Sequence, residues 1–328
     1  MSPEQVDAGS RLRSAGGTIQ IMTNYILLGT ADGLSALDLD GGSRRDWLSG
    51  HSVDALLHDG GSTWAIVDGK TIQVIERGRE RHVAALDAKP GTCLAMIPSG
   101  LLVGTEEAHL FTLAGEQLAP IASFETVDGR DSWHTPWGDP ADVRSIAVDL
   151  HDASSPVIYV NVHVGGVVRS TDGGESWKPT LDIEVDVHQV IAHPTRRGAA
   201  LVAAYEGFGE SRDGGETWQF ITAGMHAHYC RAVAVADDTV LVSASTGPGG
   251  KRAAIYKKPF DGSTEFERCR SGLPEWFNHN IDTACLAARG RLVVFGTEDG
   301  RVFRSRDAGE SWELIAKGLP EIHSAVLT

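Results

Sequence analysis

Along this chain of 328 residues, short apolar runs recur, and seven of them carry at one aligned position near their start a side chain able to do chemistry: Asp54, Cys93, Arg144, His188, Arg231, Asp282 and His323. Aligned without gaps, the runs place these seven in one layer. Arginine presents a planar fork to carboxylate or phosphate, so Arg144 and Arg231 are candidate anion-binding groups. A histidine beside a carboxylate is the arrangement of a general base and the group that orients it. His188 or His323 would take the proton, and Asp282 or Asp54 would hold the ring. Charges gathered at one place must pair, meet water or hold a ligand. A hydrated channel with Arg–Asp pairs is the plain alternative to a binding site.

Loops that the same layout brings to that end add aromatic and imidazole groups. Trp133, His134 and Trp137 lie on one long connection, with Trp137 as a stacking wall; the plain alternative is a clamp that packs both indoles on the sheet. His163 falls between two strands, and Asn278 and His279 fall on a later loop. His226 and His228 stand two apart, which puts both rings on one side of an extended segment. His188, His226, His228 and His279, with His134 and His323 in reserve, would supply three nitrogens and an open position for water to a divalent metal cofactor. No HExxH or CxxC spacing supports that set.

The elements that must position these residues are strands. Tyr25–Gly29, Thr63–Val67, Leu101–Gly104, Val157–Val162, Ala200–Ala204, Val240–Ala244 and Leu292–Gly296 begin at intervals of 38, 38, 56, 43, 40 and 52 residues. Each is followed by a second alternating run and preceded by another, from Val53–Leu57 to Ile281–Leu286. This predicts an all-β, seven-bladed β-propeller of four-stranded antiparallel blades. Residues 322–327 align on residues 281–286 with no hairpin after them, so they are expected to close the ring on the first blade and remove its open edge. Thr18–Met22 is a rival for that slot. Residues 1–21 read as a weakly structured extension, 22–328 as a single propeller, and about 125–142 as a loop insertion.

Three copies of Ser-x-Asp-x-Gly-x-Ser/Thr-Trp punctuate the later blades, at Asp172 to Trp177, Asp213 to Trp218 and Asp307 to Trp312. Aspartate can accept from backbone N–H groups further along the turn, glycine supplies positive φ, and tryptophan wedges between sheets. The pattern resembles the Asp-box of BNR-repeat, sialidase-like propellers, of the bacterial WD40/YVTN/BNR-like repeat type. The resemblance implies structural turns on the face opposite the site. It does not extend to a sialidase proper: no Arg-Ile-Pro segment occurs, and the layer holds two arginines where such an enzyme needs three. Similar turns occur in photosystem II assembly factors and sortilin-type propellers, which implies a protein-binding scaffold as a further function.

Twenty-nine basic against 44 acidic residues give a net charge of −15, which argues against nucleic acid and anionic membrane as partners. No apolar run is long enough for a membrane helix. Four cysteines without paired spacing and a polar N-terminus suit a reduced, cytoplasmic protein, and a monomer is expected. The leading function is recognition of a small, partly anionic or carbohydrate-like molecule at the channel mouth. A metal-assisted or histidine-based hydrolase or lyase at the same place is the alternative, so the residues leave open whether the site catalyses or only binds.

Overall fold

A computed structural model describes residues 24–263 and 265–328. Seven four-stranded antiparallel sheets follow one another around a central channel, each running from an inner strand to an outer one. The inner strands of blades 2 to 6 are Val53–Asp59, Gly91–Ile97, Val143–Asp149, Val187–Ala192 and Tyr229–Ala236. Second strands such as Tyr25–Thr30 and Ala200–Ala204 read as continuous apolar runs because neighbouring blades cover both of their faces. The core is therefore a series of layers between blades. Phe277, Phe295, Phe303 and Trp312 form one such layer, with ring centroids 5.0 to 5.5 Å apart.

The C-terminal strand Ile322–Leu327 supplies the inner strand of blade 1, pairing Leu327 with Ile26 and Ala325 with Leu28. Ring closure by this strand is as expected. The rival segment Thr18–Met22 and the whole 1–21 extension lie outside the described residues.

A bulge interrupts the head of every inner strand in blades 1 to 6. A bulge inserts an extra residue and re-aims its side chain. In blade 3 the inserted residue is Thr92, between Gly91 and Cys93, so Thr92 and not Cys93 holds the position equivalent to Asp54 and Arg144. Its thiol is buried, which pushes it up to about 12. Blade 7 departs further. Its inner strand is Leu286–Arg289, not residues 281–286. Asp282 to Cys285 make a turn in which Cys285 N–H donates to the Asp282 carbonyl at 3.0 Å and Ala284 has φ of 63°. Three contacts hold this turn across the channel wall: Asp282 pairs with Arg231, and the Thr283 hydroxyl is shared between the His188 and Arg231 carbonyls, 3.1 Å from each.

The three tryptophan turns join third to fourth strands, at the end of the blades away from the bulges. In each, the aspartate accepts from the backbone N–H four residues on at 2.9 Å, from that residue's hydroxyl, and from the serine two residues before it. The indole N–H groups of Trp177, Trp218 and Trp312 are satisfied by Gly174, Thr180 and Gly309. These residues hold blades together and do not reach the channel mouth.

Candidate functional site at the channel mouth

Bulged residues from several blades border one cavity of about 890 Å³ in the channel: Asp54, Thr92, Arg144, Arg231 and His323, with Thr283 from the blade 7 turn. His188 does not line it. Its ring is fully buried behind the wall, tilted against Tyr229 with centroids 4.8 Å apart, and its Nδ1 donates to the Cys230 carbonyl at 2.5 Å. The mouth is rimmed by Trp137 and Tyr205, 69% and 57% exposed, with Tyr229 deeper.

Sequence reasoning missed Asp142, Asp186 and Tyr229, all of which border the cavity. Each stands two residues before a bulged position, ahead of Arg144, His188 and Arg231. The two-residue period of a strand would have found them, had it been extended one step outward. The backbone there is regular: the carbonyls of Ser52, Asp142, Asp186 and Glu321 accept from Asp68, His163, Tyr205 and Ala31 at 2.9 to 3.0 Å.

The charges fall into three groups. Arg231 is neutralised by Asp282, to which its Nε donates at 2.5 Å, while its Nη1 donates to the Tyr229 hydroxyl at 3.1 Å. Asp282 is therefore a structural counter-ion and is not free to orient a base. Asp54 accepts from the Ser52 hydroxyl at 2.5 Å and Gly69 N–H at 2.6 Å. His323 lies 3.8 Å from Asp54 and 3.8 Å from Glu321. These two are the only members of the proposed catalytic set, among the described residues, that face one another.

The third group surrounds Arg144. Its Nη1 donates to His163 Nε2 at 2.9 Å, and among the described residues no carboxylate lies within ion-pair distance of it. Burial, with Arg231 nearby, lowers Arg144 to about 10, so it stays charged at neutral pH. Burial and Arg144 lower His163 to about 3, leaving it neutral. His188 is lowered too, chiefly by burial. Asp142 is raised by burial.

Several candidates lie elsewhere. Trp133 is buried against Phe124, with the Arg130 guanidinium 5.0 Å over its ring, and so acts as the clamp. His134 bridges to Val164 through its backbone and directs Nδ1 at the Thr135 carbonyl, 2.7 Å away. Trp137 does reach the cavity, edge-on to His163 at 5.3 Å. Asn278 and His228 are exposed, and His279 is paired with Glu298 at 2.9 Å. His226 meets the Tyr256 hydroxyl at 2.6 Å in a separate outer pocket with Trp276. The four-histidine metal set is thus not assembled. Among the described residues, the cluster with metal-ligating geometry is His163, Asp186 and His188.

Fold and site together define a seven-bladed β-propeller with an aromatic-rimmed, charged cavity at one end of its channel. Among solved structures the chain is similar to the GH74 xyloglucanase of Xanthomonas campestris, with TM-score 0.64 and 18% identity over 90% of this chain and 53% of that one. It is likewise similar to the GH74 enzyme of Niastella koreensis, with TM-score 0.68 and 14% identity over 91% and 53%. This chain spans about half the length of those enzymes. A neighbour of comparable length is YCF48 bound to D1 peptide, with TM-score 0.57 and 12% identity over 84% and 86%. At such identities the likeness establishes the propeller alone. No family model and no curated sequence matches the chain. Among the described residues, no helix is long and apolar enough to cross a membrane.

Proposed function

We propose that the channel mouth binds a small organic anion, with a carboxylate or phosphate on Arg144 and a ring or hydroxylated body against Trp137, Tyr205 and Tyr229. The observation that carries this reading is Arg144 itself: a partly buried guanidinium at the cavity wall, without a carboxylate in contact among the described residues, while Arg231 beside it has one. A desolvated charge left unpaired is costly, and an incoming anion would relieve it. A cavity of about 890 Å³ falls within the usual range for small-molecule sites. The tryptophan turns support a reading of the chain as a BNR-repeat propeller, and the structural neighbours include glycoside hydrolases. Acidic sugars join simple organic acids as the ligands to try first. The experiment is a thermal-shift screen of such acids against the purified chain. A true ligand raises the melting temperature with concentration, and the reading fails if no acid does so, or if Arg144→Ala leaves the shift intact.

One observation favours a second reading, hydrolysis at the same site. A carboxyl whose protonated form is favoured by burial can serve as a general acid, and Asp142, which borders the cavity, is raised by burial. Turnover of aryl glycosides that is lost in Asp142→Asn would support it.

A further inference from the structure

Anion binding at Arg144 leaves the atoms behind it unexplained. Asp186 Oδ1 and His188 Nε2, which face one another, are buried without hydrogen-bond partners among the described residues. Buried polar atoms nearly always have partners, so a cluster of orphans calls for a missing one. Proton positions follow from the contacts that are made. A carbonyl only accepts, so His188 carries its hydrogen on Nδ1 toward Cys230 and turns a bare Nε2 to Asp186 Oδ1, 3.4 Å away. A guanidinium only donates, so His163 Nε2 is also a lone pair, and it lies 3.5 Å from the same carboxylate oxygen. Three acceptors converge, and the one hydrogen that reaches any of them among the described residues is that of Arg144 on His163.

We propose that a divalent transition-metal ion is bound by Asp186 Oδ1, His188 Nε2 and His163 Nε2, with its remaining positions open to the cavity. One donor atom from each residue lies within 4.8 Å of the others. Separations of 3.4 and 3.5 Å are those between tetrahedral ligands at about 2.1 Å from a metal. Two imidazoles and one carboxylate suit zinc or ferrous iron, whereas calcium and magnesium take oxygen donors. The bond from His188 Nδ1 to the Cys230 carbonyl is the outer contact that orients a ligating imidazole. An imidazolium at His188 would also fill the gap, and absence of Co²⁺ binding would point to it. Entry of the ion displaces Arg144 Nη1 from His163 and frees it toward the cavity. The proposal does not depend on an organic ligand.

The test is titration of the chelator-treated full chain with Co²⁺, read by calorimetry and visible absorption. One ion per chain, with d–d bands that Zn²⁺ abolishes, is expected. Asp186→Asn and His163→Asn should each weaken Co²⁺ by more than the roughly 100-fold that an outer-shell loss costs, and His226→Ala in the outer pocket should change nothing. Circular dichroism of the metal-free variants checks their folding. Should they fail to fold, imidazole ¹⁵N resonances of the parent chain keep the test: Zn²⁺ should shift Nε2 of His163 and His188. Absence of Co²⁺ binding, unaltered binding in both variants, or unshifted resonances would overturn the proposal.

Discussion

Arg144 donates to His163 Nε2 at 2.9 Å, while Arg231, two blades further round the channel, donates to Asp282 at 2.5 Å. Two arginines at equivalent bulges have thus met opposite fates. One is neutralised within the protein; the other leans on a neutral imidazole and keeps its charge for something else. Arg144→Ala should therefore weaken the best organic acid by about 10- to 100-fold, the equivalent of one charge-assisted contact worth about 1.5–3 kcal/mol. Calorimetry measures it. Arg144→Lys should recover part of the affinity, because the charge returns without the planar fork.

The Arg231–Asp282 pair gives a prediction of opposite sign. Asp282 is 41% exposed, and partly exposed ion pairs contribute little, so Asp282→Asn should cost no more than about 1 kcal/mol of stability. It also removes the partner of Arg231. Anion affinity should rise in Asp282→Asn and fall in Arg231→Ala. A fall in both would mean that Asp282 touches the ligand itself.

What the chain revealed in advance depended on repetition. Blade count, ring closure and most inner strands were legible because apolar runs recur at blade-length intervals, and no single run needed to be decisive. The positions of Arg144, His188, Arg231 and His323 followed from the same register. It failed where local structure departs from the repeat: a one-residue bulge shift exchanged Thr92 for Cys93, and in blade 7 residues 282–285 form a turn where the other blades begin their inner strand. Which histidines would meet was beyond reach. His163 and His188 come from different blades, and His226 turns outward to Tyr256 although it is near in sequence.

Acid stability should report on the tryptophan turns. Hydrogen bonds from Ser176 and Thr217, hydroxyl first and backbone N–H second, hold Asp172 and Asp213 at about 2, below the ordinary 3.8. A carboxylate depressed on folding stabilises the native state above its unfolded value and loses that contribution as pH falls through the folded one. Melting temperature should accordingly drop between pH 4 and pH 2. In Asp213→Asn the drop should be shallower. At neutral pH, Asp213→Ala should cost about 1 kcal/mol, the worth of an exposed but well-bonded cap.

Ring closure carries the largest effect. Residues 322–327 pair along Tyr25–Thr30, and Thr328 adds a hydrogen bond from Tyr25 N–H to its hydroxyl at 3.0 Å. Without them the first blade would present an unpaired edge whose neighbours Ile26, Leu27 and Leu28 are fully buried in the intact ring. Such an edge is a template for pairing with another chain. Deleting residues 322–328 should give aggregated protein by size-exclusion chromatography, since the loss is comparable with a domain's whole stability of about 5–15 kcal/mol. A synthetic peptide spanning residues 322–328, added during refolding, should restore some monomer. A milder version is Gly296→Val: a β-carbon at Gly296 would sit 2.9 Å from Ile322 Cβ, so any side chain there pushes the closing strand outward. A monomeric, normally stable deletion variant would show that closure by this strand is dispensable.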